Sequence, residues 1–408
     1  MAERLKVMVV DDTITYRMIM KKVAESIPGI VVTASASNGK LAMAKIESDK
    51  PDVVLLDIEM PVMDGLATLK EITHRYPEIT TVMVSGVSRS NANIVMECLS
   101  GGALDFVTKP LETNANRAKE ALRKDLQPIL SIIARKKAMT PTASTARPAV
   151  EKTTPSSTQP APRTASDFGR TPPVRPATPV RPGSPSAPVA RTGSPAQPAA
   201  RPAVAQSRPM ARPGKPGRPE LLLIGSSTGG PAALAQVLAG IKQPLSIPTL
   251  IVQHMPPVFT ASLCTQLSRS SGLTVVEAQE GLALQPGSIT LAMGGKHMVL
   301  QKKPQGLVVG LNDGPKVNEC RPAVDVLFMS VLGSGFEGKI LSVILTGMGR
   351  DGANGVDALK RMGKTYSLTQ SKETCVVYGM PRSVEEMGLS DEVLPLGRIG
   401  RRIVELCS

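Results

Sequence analysis

The sequence is poor in aromatic rings, with no Trp, four Tyr and five Phe in 408 residues. Single-stranded nucleic acid and RNA are bound by stacking bases on exposed rings, so that class of partner is not expected. Cysteine is scarce as well. Cys98, Cys264, Cys320, Cys375 and Cys407 are odd in number, far apart and without a C-x-x-C pair. That argues against a disulfide framework or a zinc knuckle and fits a reducing compartment. No stretch approaches the roughly 18 apolar residues of a membrane span, and the opening MAERLKVMVVDD offers no secretory leader. A cytoplasmic location without membrane insertion is expected. Histidine is the last shortage: His74, His254 and His297 are the only three.

Proline and positive charge are plentiful but confined. Residues 139–219 hold 19 of the 36 prolines, and twelve Arg/Lys against only Glu151 and Asp167, which is ten of the net +14. The high charge therefore belongs to a segment of Pro, Ala, Arg, Ser and Thr rather than to a nucleic-acid-binding face. Such a composition cannot bury enough apolar surface to offset ordering entropy, so 139–219 reads as a disordered tether spanning roughly 50 Å.

Both flanking segments alternate short apolar runs with helical patterns. In residues 1–125 the runs LKVMVV, IVVTAS, VVLLD, TVMVSG and ALDFVT read as strands, with a closing helix to about 138. Strands apolar on both faces imply a parallel sheet wrapped by helices. In residues 220–408, ELLLIG, TLIVQH, LTVVEA and KILSVILTG read as strands, with helices beginning near Pro231, Pro257 and Arg321. A hairpin or small meander is expected over SITLAM, HMVLQKK and GLVVGL. The fold class is α/β throughout: two doubly wound parallel sheets, the second with a β-hairpin addition.

In such sheets, ligands bind beyond the carboxyl ends of the strands. Asp11, Asp12, Asp57, Ser85 and Lys109 all fall on that edge of the first segment. Three carboxylates suit a hard cation such as Mg²⁺, and a carboxylate beside a metal, a hydroxyl and an ammonium suits a phosphoryl acceptor. The words VVDDT, LLDIEMPVMDG, VSG and DFVTKP resemble response-regulator receiver domains, whose fold is flavodoxin-like. The resemblance implies phosphorylation of Asp57, Mg²⁺ held by Asp11, Asp12 and Asp57, phosphoryl contacts from Ser85 and Lys109, and a switch role for Phe106.

In the second segment, strand ELLLI runs into Gly225-Ser226-Ser227-Thr228-Gly229 and then a helix. A G-x-S-x-G turn between strand and helix lifts a serine hydroxyl clear of the sheet. A phosphate-binding loop would want an acid at the end of the next strand, but Gln253 and His254 stand there. A serine nucleophile needs a base. His254 ends a strand beside the serine turn, while His297 opens a strand whose direction is less certain. Asp351 follows another strand end and is the favoured orienting acid, with Asp313, on an expected hairpin turn, and Asp325 and Asp357, inside helices, as alternatives. Backbone N–H groups of Gly347–Gly349, or of Thr228, are candidates for an oxyanion hole.

IGSSTGGP, VQHMP, NECRPAVDVLF and LTGMGRDGA, behind a receiver, resemble the CheB family of chemotaxis protein-glutamate methylesterases. The resemblance implies Ser227 as nucleophile, His254 as base, Asp351 as orienting acid, and the Met348 N–H in the oxyanion hole. It places His297 near the rim of the site. It also implies hydrolysis of glutamyl methyl esters on methyl-accepting chemoreceptors, glutamine deamidation, no cofactor for the esterase, and gating through phosphorylation by a CheA-type histidine kinase. A transcription-factor output would need a short helical module with a basic recognition helix, which residues 220–408 lack. A catalytically silent scaffold, or the same enzyme in a non-chemotactic pathway, stays open at this level.

Overall fold

A computed structural model describes residues 4–110, 114–139 and 217–408. The expected tether 139–219 lies outside the described residues except at its ends.

The first half alternates β1 (Leu5–Val10), α1 (Ile14–Glu25), β2 (Ile30–Ala36), α2 (Gly39–Ser48), β3 (Val53–Asp57), α3 (Gly65–Arg75), β4 (Thr80–Ser85), α4 (Arg89–Ser100), β5 (Asp105–Thr108) and α5 (Ala115–Met139). Its sheet is parallel with order β2-β1-β3-β4-β5, so the strand order reverses beside β1 and opens a crevice there. Local chemistry starts the helices. Asn38 Oδ1 accepts the Leu41 N–H at the start of α2, and Asp64 Oδ1 accepts the Ala67 N–H at the start of α3.

The second half comprises β6 (Leu221–Ser226), α6 (Gly230–Ala239), β7 (Thr249–Gln253), α7 (Phe259–Ser271), β8 (Val275–Glu277), β9 (Ile289–Leu291), β10 (His297–Lys303), β11 (Gly306–Asn312), α8 (Val324–Gly333), β12 (Ile340–Ile344), α9 (Ala353–Arg361), β13 (Thr365–Gln370), α10 (Met380–Glu386), β14 (Glu392–Leu394) and α11 (Leu396–Cys407). Seven strands form a parallel sheet in the order β14-β13-β12-β6-β7-β9-β8. The hairpin is smaller than expected. Among the described residues β10 and β11 are the one antiparallel strand pair, whereas the SITLAM run supplies β9, which lies parallel to β7. All three residues of β9 are buried, so the central sheet hides them better than an exposed meander would. Asp313 follows β11 instead of sitting on the hairpin turn.

The two halves share an interface. α4 packs on α7 and α6, and Ala92, Val95, Met96 and Leu99 join one apolar cluster with Leu263 and Leu267. Phe106 and Phe259 bring their ring centroids to 4.6 Å at an interplanar angle of 38°. Burial of such rings supplies most of the attraction, with about 0.5–1.5 kcal/mol from their mutual geometry. Lys124 Nζ pairs with Glu319 at 2.9 Å, an exposed contact worth little by itself.

Candidate active site

β6 delivers Ser227 to the carboxyl edge of the sheet, between the centrally placed β12 and β7. The Ser227 N–H donates to Thr346 O at 3.0 Å, and the Thr346 hydroxyl donates to Thr228 O at 3.0 Å, which ties the serine turn to the end of β12. Gly347 lies against Ser227. A Cβ there would stand 2.8 Å from Ser227 Cβ, so only glycine lets the two turns approach this closely. Among the described residues, neither the Thr228 N–H nor the Met348 N–H has an acceptor, leaving two donors free beside Ser227.

His254 follows β7, and its N–H donates to Ser226 O at 3.1 Å. Its Nε2 meets Asp351 Oδ2 at 2.7 Å, and its Nδ1 meets Cys320 Sγ at 3.3 Å. Burial disfavours a charged ring here, but the hydrogen bonds to Asp351 and then Cys320 outweigh it and raise the imidazolium to about 9. Asp351 is buried too, and burial would raise its carboxyl. The His254 hydrogen bond, with the N–H groups of Asp325 and Val324, more than offsets this and holds the acid below its ordinary range. Among the described residues the ring makes no hydrogen bond to Ser227. Asp351 takes Nε2, and the Cys320 thiol stands in front of Nδ1.

The other acids have different places. Asp313 is exposed beside Lys296, Asp357 pairs with Arg361, and Asp325 is buried one layer behind Asp351. Asn318 Nδ2 bridges those last two carboxylates, at 3.0 Å from Asp325 and 2.7 Å from Asp351. His297 is buried. Its Nδ1 accepts the Ala323 N–H and its Nε2 donates to Pro315 O, so it braces both ends of the loop carrying Asn318 and Cys320. That loop bends through left-handed Asn318 and Glu319. Cys320 and Asn318 escaped sequence reasoning. The only signal was their place in the NECRP word.

Ser227, Thr228, His254, Cys320 and Met348 line a cavity of about 520 Å³. Its other wall comes from the first half: Asp105, Phe106, Lys124 and Ile129 among others. Asp105 faces the Thr228 hydroxyl, and its carboxyl is raised to about 6, chiefly by burial. The Met348 side chain packs against the apolar cluster formed by β1, α1 and α5.

On the first half's own edge, Lys109 Nζ lies 2.7 Å from both Asp11 Oδ2 and Asp57 Oδ2. Burial raises the Asp57 carboxyl to about 6 against the opposing pull of Lys109. Oxygen atoms of Asp11, Asp12 and Asp57 lie within 4.8 Å of one another, an all-carboxylate set of the kind a hard divalent cation takes. Ser85 is buried at the end of β4, and the Lys109 N–H donates to its carbonyl. Phe106, on β5, packs its ring against Phe259.

Clustered carboxylates at the crevice of a flavodoxin-like sheet, joined to an α/β unit with a serine turn and a buried imidazole–carboxylate pair, define a response regulator with a hydrolase output. Residues 7–121 match the response regulator receiver domain family, and residues 222–403 match the family described as CheB methylesterase. The chain is 38% identical over 404 residues to a protein-glutamate methylesterase/protein-glutamine glutaminase of Desulfotalea psychrophila, covering 98% of each chain. It is also 38% identical to a protein of that name from a group 2 operon of Rhodopseudomonas palustris, covering 99% of this chain and 94% of that one. The solved catalytic domain of Thermotoga maritima CheB methylesterase is 40% identical, covering 46% of this chain and 98% of that chain, with a TM-score of 0.44. The chain belongs to the CheB methylesterase family.

Proposed function

We propose that this chain demethylates glutamyl methyl esters on chemoreceptors, and deamidates receptor glutamines, under control of its own phosphorylation. The observation that carries this is the Asp351–His254 pair, buried in a cavity that also holds Ser227 and two free N–H donors. Ser227 Oγ attacks the ester carbonyl while its proton passes to His254 Nδ1. The oxyanion forms against the Thr228 and Met348 N–H groups, and Asp351 steadies the imidazolium through Nε2. Methanol leaves with that proton. Water, deprotonated by the same ring, then frees the glutamate and regenerates the serine. For this sequence Cys320 must yield Nδ1 to the serine.

The regulatory half is residues 1–125 with its closing helix, and the catalytic half is 220–408. Asp57 accepts a phosphoryl group from a histidine kinase, and Asp11, Asp12 and Asp57 would hold the Mg²⁺ that neutralises the charge of transfer. Lys109 and Ser85 contact the phosphoryl oxygens. The wall that Asp105, Phe106 and α5 build over the cavity supports a covered, low-activity resting form. Among the described residues no helix is long and apolar enough to cross a membrane, and the enzyme works at the cytoplasmic ends of its receptors. Methanol release from methylated receptor membranes, with and without a small phosphodonor, tests the reading. Release should rise with the donor and vanish in Ser227→Ala; release unaffected by that substitution would sink it.

A further inference from the structure

Gln253, the last residue of β7, is buried, and its carboxamide reaches across the end of β6. Oε1 accepts the Ser226 hydroxyl at 2.6 Å, while Nε2 donates to Ser227 O at 2.9 Å and to His254 O at 3.0 Å. One side chain thus holds the backbone carbonyls of both the serine and the histidine. A Cβ on Gly230 would stand 1.9 Å from Oε1, so a larger residue opening α6 would push the carboxamide out of this position. A buried Ser226 hydroxyl by itself asks only for an acceptor. Both amide donors going to the two flanking carbonyls is what sets this glutamine apart.

We propose that Gln253 is a positioning residue for the hydrolysis. Its two N–H donors fix the separation of the Ser227 and His254 carbonyls, and with it the starting positions of Oγ and the imidazole. The Ser226 hydroxyl fixes the rotamer of the carboxamide from the opposite side. The Ser227 carbonyl also accepts the Gly230 N–H at 2.7 Å, whereas among the described residues the His254 carbonyl has the carboxamide as its donor, so loss of the amide donors frees the histidine end first. Misplacement of reacting groups by about 1 Å can cost on the order of a hundredfold in rate.

This inference rests on Ser227 as nucleophile and His254 as base, and the test separates the two claims. The full chain, with Mg²⁺ and acetyl phosphate, is treated with an alkyl fluorophosphonate. Ser227 Oγ would bond to phosphorus as fluoride departs and the proton passes to His254, and peptide mass locates the label. Gln253→Glu keeps the acceptor and the volume and removes both donors. It is expected to label Ser227 about ten to a hundredfold more slowly and to lose kcat by the same factor, with KM for receptor membranes within about twofold. Ser226→Ala frees the carboxamide's rotamer and should slow labelling about threefold in a chain that circular dichroism shows to be folded, with a lowered melting midpoint because Oε1 loses its donor. A folded Gln253→Glu chain labelling at the original rate overturns the inference. Should Gln253→Glu fail to fold, an unchanged rate in Ser226→Ala overturns it instead. An unsubstituted chain that takes no label at Ser227 removes the nucleophile assignment, and this inference falls with it.

Discussion

Asp351 and Asp325 each accept N–H groups from the first turn of the helix beside the other. Asp351 takes those of Val324 and Asp325 at 2.6 and 3.0 Å, where α8 begins. Asp325 takes those of Gly352 and Gly355 at 2.9 and 2.7 Å, where α9 begins. Two acids that sequence patterning could only rank are thus parts of one unit, but only Asp351 reaches the imidazole.

The division of labour predicts different failures. Asp351→Asn should keep most of the fold and lower kcat by roughly 10³–10⁴, the scale of losing the acid that sets tautomer and charge in a serine hydrolase. Asp325→Ala should instead cost about 2–4 kcal/mol in urea unfolding, because it strips buried, charge-assisted hydrogen bonds from α9. Ester turnover per folded molecule should fall far less. Equal loss of kcat in both variants would contradict this assignment.

The His254 environment sets a pH dependence. Asp351 and Cys320 outweigh burial and raise the ring to about 9, so below that pH it should keep its extra proton and take none from Ser227. Basal turnover without phosphodonor should therefore climb as pH rises through about 9. Stability runs the other way. The folded value lies above the ring's ordinary 6.5, so the contribution is complete below about 6.5 and is lost as pH rises through about 9. Cys320→Ala removes one of the causes raising the ring, and should move the inflection to lower pH. Histidine resonances followed by NMR titration would check both directions.

Phe106→Ala should loosen the cover. Losing the ring stacked on Phe259 removes interface burial worth on the order of 1.4 kcal/mol, a factor of about ten in the covered-to-open ratio. Basal methanol release should rise by about that factor, and the further gain from phosphodonor should shrink correspondingly. Unchanged basal release would mean that the aromatic contact does not restrain the catalytic half.

Asp57→Asn should abolish stimulation by phosphodonor while leaving basal turnover within about twofold. Chelation of Mg²⁺ should do the same to the unsubstituted chain, because Asp11, Asp12 and Asp57 are the carboxylates that would hold it. Phosphodonor stimulation surviving in Asp57→Asn would place the acceptor elsewhere.

Much of this was legible because parallel sheets put chemistry at strand ends. Asp57, Ser85, Ser227 and His254 each stand at or just beyond an apolar run, where periodicity marks the edge of the core. Asp351 was readable for the same reason after β12. Cys320, Asn318 and Gln253 were not. Two lie on a short loop bent through left-handed residues, with no period to read, and the third resembles any polar end of a strand until its partners on β6 are known. β9 was misplaced because three residues carry too little pattern to distinguish a buried parallel strand from a hairpin arm. Only its neighbours β7 and β8 decide the matter, and they are pairings distant in sequence.

The tilted Phe106–Phe259 pair gives the enzyme a built-in place for a spectroscopic reporter. With no tryptophan anywhere in the chain, Phe106→Trp would carry the sole indole, seated on the seam between the two halves. Its emission would shift to longer wavelength as the seam fills with water, so uncovering could be timed by stopped-flow fluorescence after phosphodonor is added. The lag between that optical change and the first methanol released would separate the motion of the regulatory half from acylation of the serine.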